Sequence, residues 1–327
     1  MNEYKDDTLK PNDTSVKINE NAAKFQPVRP SSTSLYQMSV LNKKKARKVR
    51  EVPARGDIEG SATYAFQDLT IEVRGQLLDY NETTSKVFNL ALIKYKKTHD
   101  RVVHFTLREF MEKTGLSDRK NASLQLSKAI QALWKLAPSR NNFNSLTKKQ
   151  QQYEPFSYGM YPFPKHYYRN GKGWLELDED FAKALDTKTS NIICPPTLLK
   201  LKGTAYALYD AILTNKQINY NKSKARQQRM KFKSILEHCT NLPCWEDVKY
   251  REQRKRIINP IKKAIEVDLK DVISCSYIDA NGNSQPSIDN LPTDDFQECY
   301  LVVEKWLELN TDQLEQVKGK KQKKSKK

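Results

Sequence analysis

The sequence predicts an α+β fold made of two domains in tandem. The chain has 327 residues, a length that suits two domains of ordinary size with tails. Hydrophobic residues make up 38% of it, which can supply two cores of moderate size. Helical apolar periods alternate with short apolar strands twice along the chain, so each half predicts a mixed domain of its own.

Both ends of the chain have the composition of disordered, basic tails. Residues 1–58 are rich in Asn, Ser, Pro and Lys and show no apolar period. Six of the eight residues from Lys43 to Arg50 are basic, which suits an arm that follows phosphates or enters a minor groove, or a nuclear localisation signal. Residues 311–327 form a second tail, and seven of its last ten residues are lysine.

The first domain is predicted over residues 59–152, with a polar linker or wing loop at 138–152. Thr106 and Glu109 have the spacing of a capping box, and Gly115 is suited to end the helix that they begin. A helix, a turn with glycine and another helix form a helix-turn-helix pattern. The predicted elements are strand 69–73, helix 84–97, strand 102–105, helix 106–113 and helix 118–136.

The last of these helices has an apolar face and a polar, basic face. Ala122, Leu126, Ile130 and Leu133 recur at helical spacing and predict the buried side. An ordinary amphipathic helix with a basic solvent face fits this pattern as well as a DNA-reading helix does. Lysine suits phosphate, and Asn and Gln suit adenine edges, so the candidate DNA-binding residues of the opposite face are Lys120, Asn121, Lys128 and Gln131.

The second domain is predicted over residues 153–310. An aromatic-rich segment at 156–168 precedes a strand at 174–177, and Asp178 is placed to cap the next helix. Pro260 should kink or split the longest helix, at 245–267. Two strands after that helix predict a hairpin, which is the wing of a winged helix. The remaining elements are helix 204–214, helix 232–238 and strands 272–278 and 300–307.

The formal net charge of +18 implies a polyanionic partner, with nucleic acid ahead of an acidic membrane surface. Residues 216–263 hold more than a dozen Lys and Arg, so the excess is not confined to the tails. We therefore expect phosphate contacts beside the long helix, and the candidates are Lys224, Arg226 and Arg229.

No pattern for catalysis, a cofactor or a metal is found in the sequence. A phosphate-binding glycine loop is absent, and the four histidines are too scattered to share an ion. The acidic run 178–180 suits a helix start better than a nuclease metal site. Five widely spaced cysteines predict reduced thiols, and no apolar run has the length of a membrane span, so a cytoplasmic protein is expected.

Several segments resemble the iteron-binding plasmid replication initiators, a family with two winged-helix domains. KYREQRKRIINPIKKAIEVDL, from Lys249 to Leu269, resembles their basic helix that runs through a proline into a second helix. GTAYALYDAIL, ISCSYIDANGN and YLVVEKW are similar to the opening helix and closing hairpin of the second domain. HFTLREFMEKTGL is similar to part of the first domain. The chain departs from the family in a longer connection at 215–231 and a long hairpin loop at 281–298.

The resemblance implies a protein that binds double-stranded repeats at a plasmid origin, helps to open the duplex and recruits a host initiator, helicase or primase. It also implies a monomer–dimer equilibrium, and the lack of a membrane-length apolar run predicts no membrane partner. A winged-helix transcriptional repressor and a nicking enzyme of rolling-circle replication remain as alternatives. The DNA-reading residues that the resemblance implies are Lys249, Arg251, Arg254, Lys255 and Arg256.

Overall fold

The computed structural model describes nine stretches of the chain, and the structural statements that follow concern these residues alone. They are residues 28–30, 47–53, 61–66, 69–74, 81–140, 161–186, 191–222, 228–239 and 241–307. The predicted C-terminal tail and most of the predicted loop at 138–152 lie outside them.

Helices and strands alternate along the described chain. The strands are β1 (Val28–Pro30), β2 (Arg47–Val52), β3 (Ser61–Phe66), β4 (Leu69–Arg74), β5 (Val102–Thr106), β6 (Leu136–Arg140), β7 (Lys165–Arg169), β8 (Lys172–Glu176), β9 (Asn191–Ile193), β10 (Gln228–Lys231), β11 (Ile273–Ile278), β12 (Ser284–Gln285) and β13 (Tyr300–Trp306). The helices are α1 (Glu82–Thr98), α2 (Leu107–Thr114), α3 (Arg119–Trp134), α4 (Glu179–Asp186), α5 (Pro196–Lys200), α6 (Gly203–Lys222), α7 (Phe232–His238) and α8 (residues 250–268).

The first unit, residues 81–186, has winged-helix topology. Helix α1 leads through β5 to α2 and α3, and the β7–β8 hairpin then returns to pair with β5 in the order β5-β8-β7. The Thr106 side chain accepts a hydrogen bond from the amide of Glu109, and Gly115 ends α2 with φ of 69°, as the sequence predicts. Only half of the capping box forms, because the Glu109 carboxylate binds Lys94 instead (2.6 Å).

The second unit, residues 203–307, repeats this topology. Helix α6 leads through β10 to α7 and α8, and β11 and β13 complete the sheet in the order β10-β13-β11-β12. The connection between β11 and β13 is much longer than the two-residue turn between β7 and β8. We call this connection, residues 279–299, the wing insert. The prediction of an α+β fold with two tandem winged helices is therefore confirmed.

The predicted boundary at residue 152 does not coincide with the limits of the first sheet. β8 pairs with β5 over five positions, from Val102 opposite Glu176 to Thr106 opposite Lys172. Phe163, Leu175 and Phe181 are buried in the same core as α1, α2 and α3. The segment 161–186 thus packs with the first unit, since long-range strand pairing decides its place and local composition does not.

A third sheet combines three strands before the first unit with β6, and it extends into the predicted N-terminal arm. Strands β2, β3, β4 and β6 form it in that order, and β1 pairs separately with β9. The prediction of disorder over residues 1–58 is therefore wrong at residues 28–30 and 47–52. Val28–Pro30 pairs with the distant β9, and Arg47–Val52 pairs with the next strand, β3, which the composition of the arm does not reveal.

A polar seam joins the two units between α1 and α6. The buried hydroxyl of Tyr206 lies 2.7 Å from the Ser85 hydroxyl and accepts a hydrogen bond from Asn89 (3.1 Å). Lys86, which is 5% exposed, forms an ion pair with Glu82 (2.7 Å). Burial lowers the pKa of Lys86, while Glu82 opposes the shift. Each buried polar group named here has a partner, so the seam fixes one arrangement of α1 against α6.

Candidate nucleic-acid interface

Helix α8 corresponds to the recognition helix of the second unit and continues through Pro260. Its α-helical parts are Tyr250–Gln253 and Asn259–Lys263, and the turns Arg254–Ile258 and Ala264–Asp268 are π-helical. The residues at the junctions keep right-handed helical angles. Proline cannot donate a hydrogen bond, and the preceding π turn changes the bonding pattern where that donor is missing. The predicted start at Trp245 is wrong, because Trp245–Asp247 is a separate 3-10 turn.

One face of α8 is exposed and basic, and we call it the outer row. It consists of Arg251, Lys255, Asn259 and Lys263, spaced four residues apart on one side of the helix. Among the described residues, none of its three cations forms an ion pair. The opposite face is buried in the core of the second unit through Ile257, Ile261 and Ile265. The helix thus presents cations and an amide to solvent from a fixed support.

The other predicted cations of α8 lie beside the outer row. Lys249 is exposed at the N-cap position. Arg256 is exposed and pairs with Glu252 one turn earlier (3.4 Å). Arg254 lies against the wing insert, where its guanidinium donates to the Leu291 carbonyl (3.1 Å) and the Thr293 hydroxyl (3.3 Å). Arg254 is therefore held by protein acceptors on the flank of the helix.

Helix α3 carries the candidate residues of the first unit on its exposed face. Its buried side contains the predicted Ala122, Leu126, Ile130 and Leu133. The Asn121 side chain accepts a hydrogen bond from Gln125 (3.1 Å), and Leu124 is 54% exposed between the polar residues. An exposed leucine among amides and lysines can contact a thymine methyl group in a major groove. The predicted residues that the structure leaves exposed on this face are Lys120, Asn121, Lys128 and Gln131.

The hairpin of the first unit ends in a basic tip that the sequence prediction missed. Asn170 and Gly171 both have positive φ, 51° and 74°. Positive φ at both residues is typical of the tight two-residue turn of a β-hairpin. Exposed Arg169 and Lys172 flank this turn. The Asn-Gly pair between β-type residues was the signal in the sequence that could have predicted this hairpin.

Three further candidates follow the long connection in the second unit. Arg229 is exposed on β10, which pairs with β13. Lys224 and Arg226 lie outside the described residues. Asn259 and Lys263 were not candidates from the sequence, although their four-residue spacing from Arg251 and Lys255 places them on the same face.

The acidic run before α4 caps that helix. The Asp178 carboxylate accepts hydrogen bonds from the amides of Asp180 (2.9 Å) and Phe181 (3.1 Å), which confirms the predicted cap. In the stretches that the structure describes, no cluster of three His, Cys, Asp or Glu side chains could hold a metal ion. The same stretches contain no helix that is long and apolar enough to cross a membrane.

Residues 67–193 match the family model described as the initiator replication protein, WH1. This part of the chain is similar to the WH1 domain of the initiator replication proteins. The match confirms the family that the sequence motifs indicate, over the first unit together with β4 and β9. It runs across residue 152, in agreement with the pairing of β8 with β5. No curated protein sequence matches the chain.

Two solved structures are similar to this chain at low identity. A crystal structure of the Pi initiator protein in complex with iteron DNA is 12% identical and covers 68% of this chain and 88% of its own, with a TM-score of 0.45. Domains 2 and 3 of RctB are 10% identical and cover 84% of this chain and 97% of their own, with a TM-score of 0.44.

Proposed function

We propose that this protein is a plasmid replication initiator that binds repeated duplex sites at an origin in the cytoplasm. It promotes opening of the duplex and recruits a host initiator, helicase or primase. It binds DNA without cutting it and exists as monomer and dimer in equilibrium. The match of residues 67–193 to the initiator WH1 domain carries the proposal, because it ties a defined part of the fold to this class of protein.

The surfaces of the two units support a duplex as the ligand. Each unit has winged-helix topology and an exposed recognition helix, and such helices enter the major groove of B-DNA. The outer row of α8 combines cations, which bind phosphate or guanine, with Asn259, which suits adenine. The face of α3 repeats this combination with Lys120, Lys128 and Gln131.

The proposal also assigns different DNA contacts to the two units. Helix α8 reads bases through Arg251, Lys255 and Asn259, with Lys249 and Arg256 at the adjacent phosphates. Helix α3 and the hairpin tip make a second contact through Asn121 and Arg169. Arg229, Lys224 and Arg226 extend the basic surface of the second unit. We place the limit between the two domains after residue 186, although Leu199 on α5 still packs into the core of the first unit.

A footprint of the purified protein on the DNA that flanks its reading frame tests this function. We expect several protected segments of similar sequence, spaced by whole helical turns of about 10.5 bp. The double variant Arg251→Ala/Lys255→Ala should lose them, whereas Lys97→Ala/Lys200→Ala should keep them. The control removes the same charge from exposed positions on α1 and α5.

Other footprint patterns would point to the other functions. A single protected palindrome at a promoter, with no repeats, would contradict initiation and favour a repressor. Cleavage of supercoiled DNA in the presence of a divalent metal would favour a nicking enzyme. Binding that is equal on flanking and random DNA would contradict both sequence-specific functions.

A further inference from the structure

The wing insert is acidic, although it joins the strands of a predicted DNA-binding wing. Residues 279–299 contain five acidic residues and no Lys, Arg or His. A segment that lies along a duplex normally carries cations, because phosphate contacts supply most of the sequence-independent affinity. The net negative charge of the insert therefore repels phosphate. Its position next to α8 needs an explanation other than phosphate binding.

The insert is packed firmly against the second unit. Phe296 is fully buried and stacks on Phe232, with ring centroids 4.3 Å apart, and on Trp245 at 5.7 Å. Ile288 and Leu291 are buried in the same core. The carboxylates of the insert thus have fixed positions relative to the recognition helix.

Asp289 places its carboxylate against two cations of α8. It accepts a hydrogen bond from Lys262, and this bond raises the pKa of the Lys262 ammonium. Its other oxygen lies 3.8 Å from the guanidinium of Arg254, which Leu291 and Thr293 also bind. The two cations are 39% and 31% exposed, so solvent and a phosphate can still reach them. A phosphate at this flank has to compete with Asp289.

We propose that Asp289 determines how strongly this protein binds duplex DNA of any sequence. Its carboxylate occupies Arg254 and Lys262 in the place of a phosphate, while the outer row of α8 stays free for base contacts. The inference rests on the proposed function, because it treats α8 as the DNA-binding helix. In this inference the insert limits the sequence-independent affinity of the protein for DNA.

The test compares Asp289→Asn with Asp295→Asn in the full chain. Both variants remove one negative charge from the insert. Asp295 is exposed, and in the described parts of the chain its side chain forms no ion pair with a cation of α8. Binding of each protein to a random-sequence duplex is titrated between 50 and 200 mM salt, and thermal unfolding checks that both variants are folded.

Asp289→Asn should bind the random duplex about threefold to tenfold more tightly than wild type at ~0.1 M salt, since surface ion pairs of this kind are weak but real competitors. The slope of log affinity against log salt should steepen by about one to two, because two more cations contact phosphate. Asp295→Asn should stay within about twofold of wild type. Adding Lys262→Gln to Asp289→Asn should remove much of the gain.

Equal affinities of the two variants for the random duplex would overturn the inference. Weaker binding by Asp289→Asn than by wild type would also overturn it, because Asp289 would then orient the cations for DNA. The proposed function fails on a different observation, the absence of any preference for flanking repeats over random duplex. A difference between Asp289→Asn and Asp295→Asn on random duplex does not depend on that preference, so the two failures can be told apart.

Discussion

The two winged helices share one topology but expose their charge in different ways. In the first unit, α3 presents its lysines and amides without ion pairs in the described residues, and the hairpin turns in two residues with a basic tip. In the second unit, α8 is richer in cations, but an acidic insert replaces the short turn and holds Arg254 and Lys262.

This difference shows that the number of cations in a segment does not measure the charge available to DNA. The sequence makes the second unit look like the stronger phosphate binder, because more than a dozen Lys and Arg lie between residues 216 and 263. The structure divides the α8 cations into a free outer row and a flank that carboxylates occupy. Helix α3 has fewer cations than α8, but in the described residues none of them forms an ion pair.

The largest expected effect concerns the anchoring of the insert, which has no counterpart in the first unit. Phe296→Ala should lower the free energy of unfolding by about 3–5 kcal/mol, because it leaves a cavity between Phe232 and Trp245. Chemical denaturation measures the change. Tyr250→Ala, at an exposed tyrosine of the same unit, should cost far less. Equal losses for both variants would mean that the insert is not anchored by its ring.

The second prediction compares the two recognition helices. Arg251→Ala should weaken binding to flanking repeats by about 1–3 kcal/mol and relax the sequence preference, if Arg251 reads a base. Lys128→Ala on α3 should instead weaken binding to all sequences alike and reduce the salt slope by about 1. Titration against repeats and random duplex separates these results. A uniform loss for Arg251→Ala would contradict base reading by the outer row.

The third prediction concerns a helix cap that only the first unit has. Thr106 accepts from the Glu109 amide, whereas Lys231, at the matching position before α7, makes no side-chain cap. Thr106→Ala should therefore cost about 1 kcal/mol of stability, as measured by denaturation. Thr106→Ser keeps the acceptor and should recover most of the loss. If the serine variant were as unstable as the alanine variant, the cap would not be the cause.

The smallest effect is chemical and concerns the thiols of the second unit. Burial raises the pKa of Cys239 and of Cys275 to about 12, so almost none of either thiol is ionised at pH 8. Cys244 is only half-buried. Native protein should therefore react with iodoacetamide at Cys244 first, and unfolded protein at all five cysteines. Mass spectrometry of the labelled peptides identifies the order, and early labelling of Cys239 would contradict the burial.

Local patterns in the sequence were sufficient for most elements of both units. The helix period at Ala122, Leu126, Ile130 and Leu133, the cap at Thr106 and the glycine at 115 each act within a few residues. The sequence therefore predicted α2, α3 and the wing strands near their observed positions. The candidate DNA-reading residues of α8 came from the resemblance to the plasmid initiators and not from spacing alone.

Features that depend on distant partners could not be predicted in this way. The pairing of β8 with β5 joins residues about 70 positions apart, so the aromatic segment was assigned to the wrong half. The contacts of Arg254 with Leu291 and of Asp289 with Lys262 also join separate segments. A charged residue in a sequence shows what it could bind, but only the fold decides which partner reaches it first.

Cleavage of DNA from a probe on the outer row of α8 tests the central claim most directly. An iron chelate would be attached at Asn259→Cys in a protein that also carries Cys244→Ser, with Lys97→Cys as the matched exposed control. If α8 enters the major groove, radicals from residue 259 should cut within each protected repeat, and the control should cut weakly or not at all. Equal cutting from the two positions, or none from residue 259 while the repeats stay protected, would contradict the account.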